Sequence, residues 1–152
     1  LSSEGPIPPG EKVIIPGGRP RRATGTDANL PNLAGYFATP AAGWNWGETH
    51  PKNAVDISNA CGTPVYAAAE GLVVETGDPT EWNGGLGGFI EMEHPNGTAT
   101  RYAHLREVSV EVGDYKEKKE KIGEIGNTGN VTGVTGCHVH FEVHGARNPL
   151  AR

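Results

Sequence analysis

Long apolar runs are missing from this 152-residue chain. Nowhere do about 18 apolar residues follow one another, so no segment is suited to cross a bilayer as a helix and no membrane partner is expected. No charged-then-apolar leader opens the sequence either, which is compatible with a mature or excised part of a secreted protein. Basic clusters interleaved with aromatics are also absent, and the formal net charge is -5. Phosphate binding needs concentrated Lys and Arg, so nucleic acid is not expected as a partner. Cysteine is scarce: Cys61 and Cys137 permit one disulfide without demanding it.

Glycine and proline, by contrast, are plentiful. The 23 glycines and 12 prolines are spread along the chain, which points to many turns and short strands, an all-β fold. The length fits one domain that can bury roughly two-thirds of its unfolded surface. Residues 1–32 are rich in Pro, Gly and charge, with only Val13-Ile14-Ile15 strand-like, and read as a linker or the tail of a preceding module. Arg19, Arg21 and Arg22 read as solvated linker surface. The folded unit is expected over 33–152.

Gly43-Trp44-Asn45-Trp46-Gly47 forms an aromatic loop leading to His50; its tryptophans suit a groove wall or a core equally. Val55–Ile57, Pro64–Ala67 and Leu72–Thr76 are of strand length. Gly77 to Gly88 reads as a rim loop. Phe89–His94 and Thr98–Leu105 flank Pro95-Asn96-Gly97, which predicts a hairpin with a two-residue Asn-Gly turn, Phe89 opposite His104 and His94 as an exposed turn residue. The alternating charges of 116–121 could suggest an exposed helix, but Gly113-Asp114 and Ile122-Gly123-Glu124-Ile125-Gly126 bracket too short a space for one and predict a charged turn between strands. The Thr-Gly repeats of 127–136 read as a loop.

That loop delivers Cys137-His138-Val139-His140-Phe141-Glu142. As a strand, this stretch puts His138 and His140 on one face and Cys137, Val139 and Phe141 on the other. Adjacent imidazoles suit metal binding and proton transfer, or are simply two surface residues. His50 and Asp56 stand before another apolar run. Asp56, set between Val55 and Ile57, needs a strong partner if buried. Together with His138 or His140 they would make three ligands with an open fourth position, the pattern of a catalytic zinc site. Alternatively, Asp56 caps a turn and His50 is a loop histidine.

In order, His50 with Asn53-Ala54-Val55-Asp56-Ile57, Cys61-Gly62-Thr63-Pro64-Val65-Tyr66-Ala67-Ala68-Ala69-Glu70-Gly71, Arg101-Tyr102-Ala103-His104-Leu105 and His138-Val139-His140-Phe141-Glu142 resemble the motifs of the lysostaphin-type, or LytM-domain, zinc metalloendopeptidases. The resemblance spans about Leu33 to Leu150. It implies a small antiparallel β-sheet domain of the duplicated hybrid motif type, with long loops forming a groove. It also implies one zinc ion held by His50, Asp56 and His140, and catalytic roles for His104 and His138 in proton transfer and oxyanion stabilisation. The implied substrate is the peptide part of peptidoglycan, cut at stem-peptide cross-links or interpeptide bridges by a monomer that is extracellular or in the bacterial envelope.

No His-Glu-x-x-His helix is present, so histidine rather than glutamate has to handle the proton. Glu142 would orient a histidine or form a surface salt bridge, and Tyr102 would pack on the strand face opposite His104. A Cys61–Cys137 disulfide would tie the first and third motifs together behind the site, in keeping with an extracellular location. Lys52 stands four residues before Asp56, where the family often has His, and the loop 126–136 is about three residues longer than usual. Two other readings are a silent LytM-like module that binds wall or activates a hydrolase, and a non-haem iron site of two His and one Asp.

Overall fold

The computed structural model describes residues 30–33, 35–49, 51–131 and 136–151. Val13–Ile15, the arginines at 19, 21 and 22, His50 and residues 132–135 lie outside the described residues. Among the described residues, eight strands form one antiparallel sheet: β1 Ala54–Ser58, β2 Pro64–Tyr66, β3 Gly71–Gly77, β4 Gly88–Glu93, β5 Ala99–Val108, β6 Tyr115–Lys116, β7 Lys121–Ile125 and β8 His138–His144. The main order is β1-β8-β5-β4-β3-β6, with β7 bridging β5 and β2. No α-helix occurs among the described residues, only a short 3-10 turn at Asn83–Gly85 in the rim loop.

Alternation along β8 places the core. Val139, Phe141 and Val143 are fully buried and join Ile57, Ile90 and Tyr102 in the main apolar cluster, while the even positions His138, His140, Glu142 and His144 share the other face. The 116–121 segment turns from β6 into β7, as its flanks rather than its charge alternation predict. Cys61 and Cys137 are disulfide-bonded, with Cα atoms 5.2 Å apart, and join the loop after β1 to the start of β8.

The β4–β5 hairpin departs from expectation at both ends. Its loop has three residues, Pro95 to Gly97: His94 N–H bonds Thr98 O at 2.9 Å, and Gly97 N–H bonds His94 O at 3.0 Å. Gly97, at φ 87, takes the left-handed position that ends such a loop. This pairs Ile90 with Tyr102, one residue out of the expected register, until a slip restores Gly88 opposite Leu105. Phe89 therefore faces Ala103 and His104 together. His94 is not an exposed turn residue; it is 3% exposed. Its Nδ1 lies 2.6 Å from Glu70 O and its Nε2 2.9 Å from Thr100 Oγ1. Thr100 in turn bonds the Tyr102 hydroxyl, which accepts from Ala68 N–H at 2.9 Å. A chain of polar groups thus runs into the core with each member paired.

Candidate functional site

Three neighbouring strands bring the site together at one level. Asp56 of β1 pairs with His140 of β8, which pairs with Ala103 of β5. His138 lies two positions along β8, opposite Ser58. In a regular strand His104 would share a face with Tyr102, two residues away. The register slip in β5 separates them: Tyr102 packs in the core, and His104, at φ 65, turns to the histidines of β8. The His104 ring centroid is 4.9 Å from that of His138 and 5.7 Å from that of His140. Asp56, His104, His138 and His140 line one cavity of about 330 Å³, with Lys52 and Glu142 on its wall and Gly84-Gly85 of the rim loop on its edge.

Each imidazole is held differently. His140 Nε2 lies 2.9 Å from Glu142 Oε2, and its Nδ1 lies 3.3 Å from Asp56 Oδ1. Burial disfavours charge on this ring, but the Asp56 and Glu142 carboxylates outweigh it and raise its pKa to about 9. Two carboxylates around one ring favour positive charge at this point. Without a cation the protonated ring bonds both carboxylates. A cation that displaced the Nδ1 proton would find Nδ1 and Asp56 Oδ1 as two donors on the same side, with Nε2–H held by Glu142, a carboxylate–histidine arrangement that fits a zinc-type ion. Among the described residues, no group of three His, Cys, Asp or Glu side chains already stands at metal-binding spacing; His50, the remaining expected ligand, is not one of them.

His104 has the opposite character. Burial is the main cause that lowers its pKa to about 4. Its Nδ1 lies 2.8 Å from Thr128 O, so a neutral ring donates Nδ1–H to that carbonyl and keeps Nε2 as an acceptor. His138 is 2% exposed, with Nε2 4.0 Å from Asp56 Oδ2.

Glu142 is fully buried, which excludes a surface salt bridge. Its second oxygen accepts from His144 Nε2 at 2.8 Å and lies 3.7 Å from Arg101 Nη1. Although burial opposes ionisation, His140, His144 and Arg101 hold its carboxyl well below the usual range. Arg101 is itself paired with Glu91 at 2.9 Å. Sequence reasoning missed this support from Arg101 and His144. The signal was present as His-x-His-x-Glu-x-His, an unbroken polar period of two along β8. Trp44 and Trp46 are 59% and 73% exposed, which removes the core alternative for them.

Residues 50–151 match Peptidase family M23. The chain is 37% identical over 93 residues to peptidoglycan DD-endopeptidase ShyA of Vibrio cholerae, a stretch that is 61% of this chain and 20% of that protein. It is 40% identical over 90 residues to stage II sporulation protein Q of Bacillus subtilis, covering 57% of this chain and 30% of the relative. It thus spans about a fifth to a third of the curated relatives it matches. Among solved structures, the catalytic domain of lysostaphin from Staphylococcus simulans superposes with a TM-score of 0.54 and 33% identity, over 76% of this chain and 82% of that one. A zinc-containing peptidase from Vibrio cholerae gives a TM-score of 0.53 and 29% identity, over 75% and 35%. With an antiparallel sheet that carries the expected motifs in the expected order, the chain belongs to peptidase family M23, the family of the LytM-type domains.

Proposed function

We propose that this chain is a zinc-dependent endopeptidase that hydrolyses peptide bonds in peptidoglycan, at stem-peptide cross-links or interpeptide bridges. The observation that carries the reading is the convergence of Asp56, His104, His138 and His140 on one cavity, with Glu142 behind His140. His50, Asp56 and His140 would hold the metal. A bound zinc ion supplies Lewis acidity, which polarises the scissile carbonyl and makes water reactive near neutral pH.

The remaining work falls to the chain. Glu142 keeps His140 in the tautomer that offers Nδ1. His104, fixed by the Thr128 carbonyl, accepts the proton of the attacking water at Nε2. His138 hydrogen-bonds the developing oxyanion, and as the C–N bond breaks the proton held by His104 passes to the leaving amine. The rim loop, with glycines at 84 and 85, leaves room for an extended peptide to approach backbone-first. We assign this activity to a unit of residues 33–152, with 1–32 as linker, working as a monomer outside the cell or in the bacterial envelope.

The deciding experiment is digestion of purified peptidoglycan by the zinc-loaded protein, with mass analysis of the products. Release of new amino termini by wild type, and none by His138→Ala or after chelation, supports the reading; no release by wild type overturns it. One observation favours a second reading, a silent wall-binding or hydrolase-activating module: Lys52 brings a cation to the cavity wall four residues before Asp56. Metal analysis separates the two. A stoichiometric zinc ion that is lost in His50→Ala supports the hydrolase; wall binding with no zinc supports the module.

A further inference from the structure

All three tryptophans of the chain are exposed: Trp44 by 59%, Trp46 by 73% and Trp82 by 62%. An indole in water leaves a large apolar area uncovered, which marks a contact surface more often than an accident of packing. Trp44 and Trp46 make a single feature, with ring centroids 5.5 Å apart and planes at 89°. The backbone under them is firmly anchored. Trp44 and Ser58 exchange two main-chain hydrogen bonds, of 2.9 and 2.8 Å, and Asn59 Nδ2 bonds Ala42 O at 2.9 Å. Gly43, at φ 150, lies so close to β1 that an added Cβ would stand 2.4 Å from Ser58 O. The segment is thus held against the sheet edge while both indoles face water.

This platform is continuous with the site. Ser58 is opposite His138 in register, and Trp44 bridges to Ser58 from the other side. Neighbouring strands are about 4.8 Å apart, so the Trp44 backbone lies roughly 10 Å from that of His138, the span of about three extended residues.

We propose that Trp44 and Trp46 form a carbohydrate platform that stacks on a pyranose ring of the glycan from which the substrate peptide hangs. The inference rests on the peptidoglycan reading above. Two perpendicular indoles make an apolar corner, and a pyranose fits such a corner by laying its C–H face on the negative π face while its hydroxyls remain in water. A peptide at this place would instead seek strand-edge hydrogen bonds. Here Ser58 N–H and C=O are already committed to Trp44, so the edge offers none at that residue.

The test uses the zinc-loaded full chain in a Trp82→Phe background, so that tryptophan emission reports only the pair. Titration with a β-1,4-linked N-acetylglucosamine tetrasaccharide is expected to shift that emission saturably, with affinity about tenfold weaker after Trp46→Ala. No saturable shift, or an unchanged affinity in Trp46→Ala, overturns the platform. At 73% exposure, Trp46 can be replaced without opening the core. In a second arm, the ratio of kcat/KM for a glycan-bearing peptide to that for the same peptide without sugar falls about tenfold in Trp46→Ala. An equal fall on both substrates overturns the proposal in favour of a peptide contact. If wild type cleaves neither, the hydrolase reading fails, and the tetrasaccharide titration still decides the platform.

Discussion

At the scale of single residues, Glu142 is the side chain on which most depends without facing the cavity centre. Its carboxylate is fully buried, yet it is satisfied by His140, His144 and Arg101. A buried charge with partners on all sides is tolerated, whereas a change to one member leaves the others short. Glu142→Gln keeps the shape but can no longer act as a charged acceptor for His140 Nε2–H. Zinc affinity, read by competition with a chromophoric chelator, should fall about 10- to 100-fold, while the far-ultraviolet spectrum is retained. Tyr102 gives the pH prediction. Burial raises its phenol from 10.0 to about 12, even though the bonds to Thr100 and Ala68 act the other way. Because the folded pKa lies above the unfolded one, the stabilisation is complete below about pH 10 and is lost as pH rises toward 12, on the order of 2 to 3 kcal/mol. Denaturant titrations across that window should show a loss in Tyr102→Phe that is smaller than in wild type by about that amount, the remainder coming from groups such as Tyr36, whose phenol is also raised by burial.

At the scale of elements, the strands and the histidine pair were legible because period-two alternation is written into the chain: Val139, Phe141 and Val143 inward, His138 and His140 outward. The hairpin was legible too, but its loop length was not. Asn-Gly fits a two-residue turn as well as the last two places of a three-residue one, and the choice was made by His94, which turns inward to Glu70 O, 24 residues away. The same limit applies to the site. That His104 belongs there follows from its motif, but its tautomer depends on Thr128 O in a different loop, and its orientation on a slip in the β4–β5 ladder. Long-range partners of this kind leave no local pattern. Gly97 tests the hairpin account. Its Cβ would meet nothing within 4 Å, so Gly97→Ala adds only the strain of a left-handed backbone. Stability should drop by about 1 kcal/mol, with zinc affinity unchanged, since the loop lies at the far end of the hairpin from His104.

At the scale of the whole molecule, the first and third motifs are joined twice over. The Cys61–Cys137 disulfide closes a separation of 76 residues behind the site, and the proposed metal would join Asp56 of β1 to His140 of β8 in front of it. The two act on different states. A cross-link over so long a loop stabilises mainly by restricting the unfolded chain, so Cys61→Ser with Cys137→Ser should cost about 2 to 4 kcal/mol in chemical denaturation. The proposed zinc ion would stabilise by binding the folded state alone, adding about 2.7 kcal/mol at a free concentration 100 times the dissociation constant. A cycle of four denaturation curves, with and without the disulfide and with zinc or chelator, separates the contributions. If the disulfide leaves the folded site as it is, the two effects add within about 0.5 kcal/mol. A larger coupling, with zinc binding weakened in the serine variant, would mean instead that the disulfide shapes the site by holding β8 in register with β1.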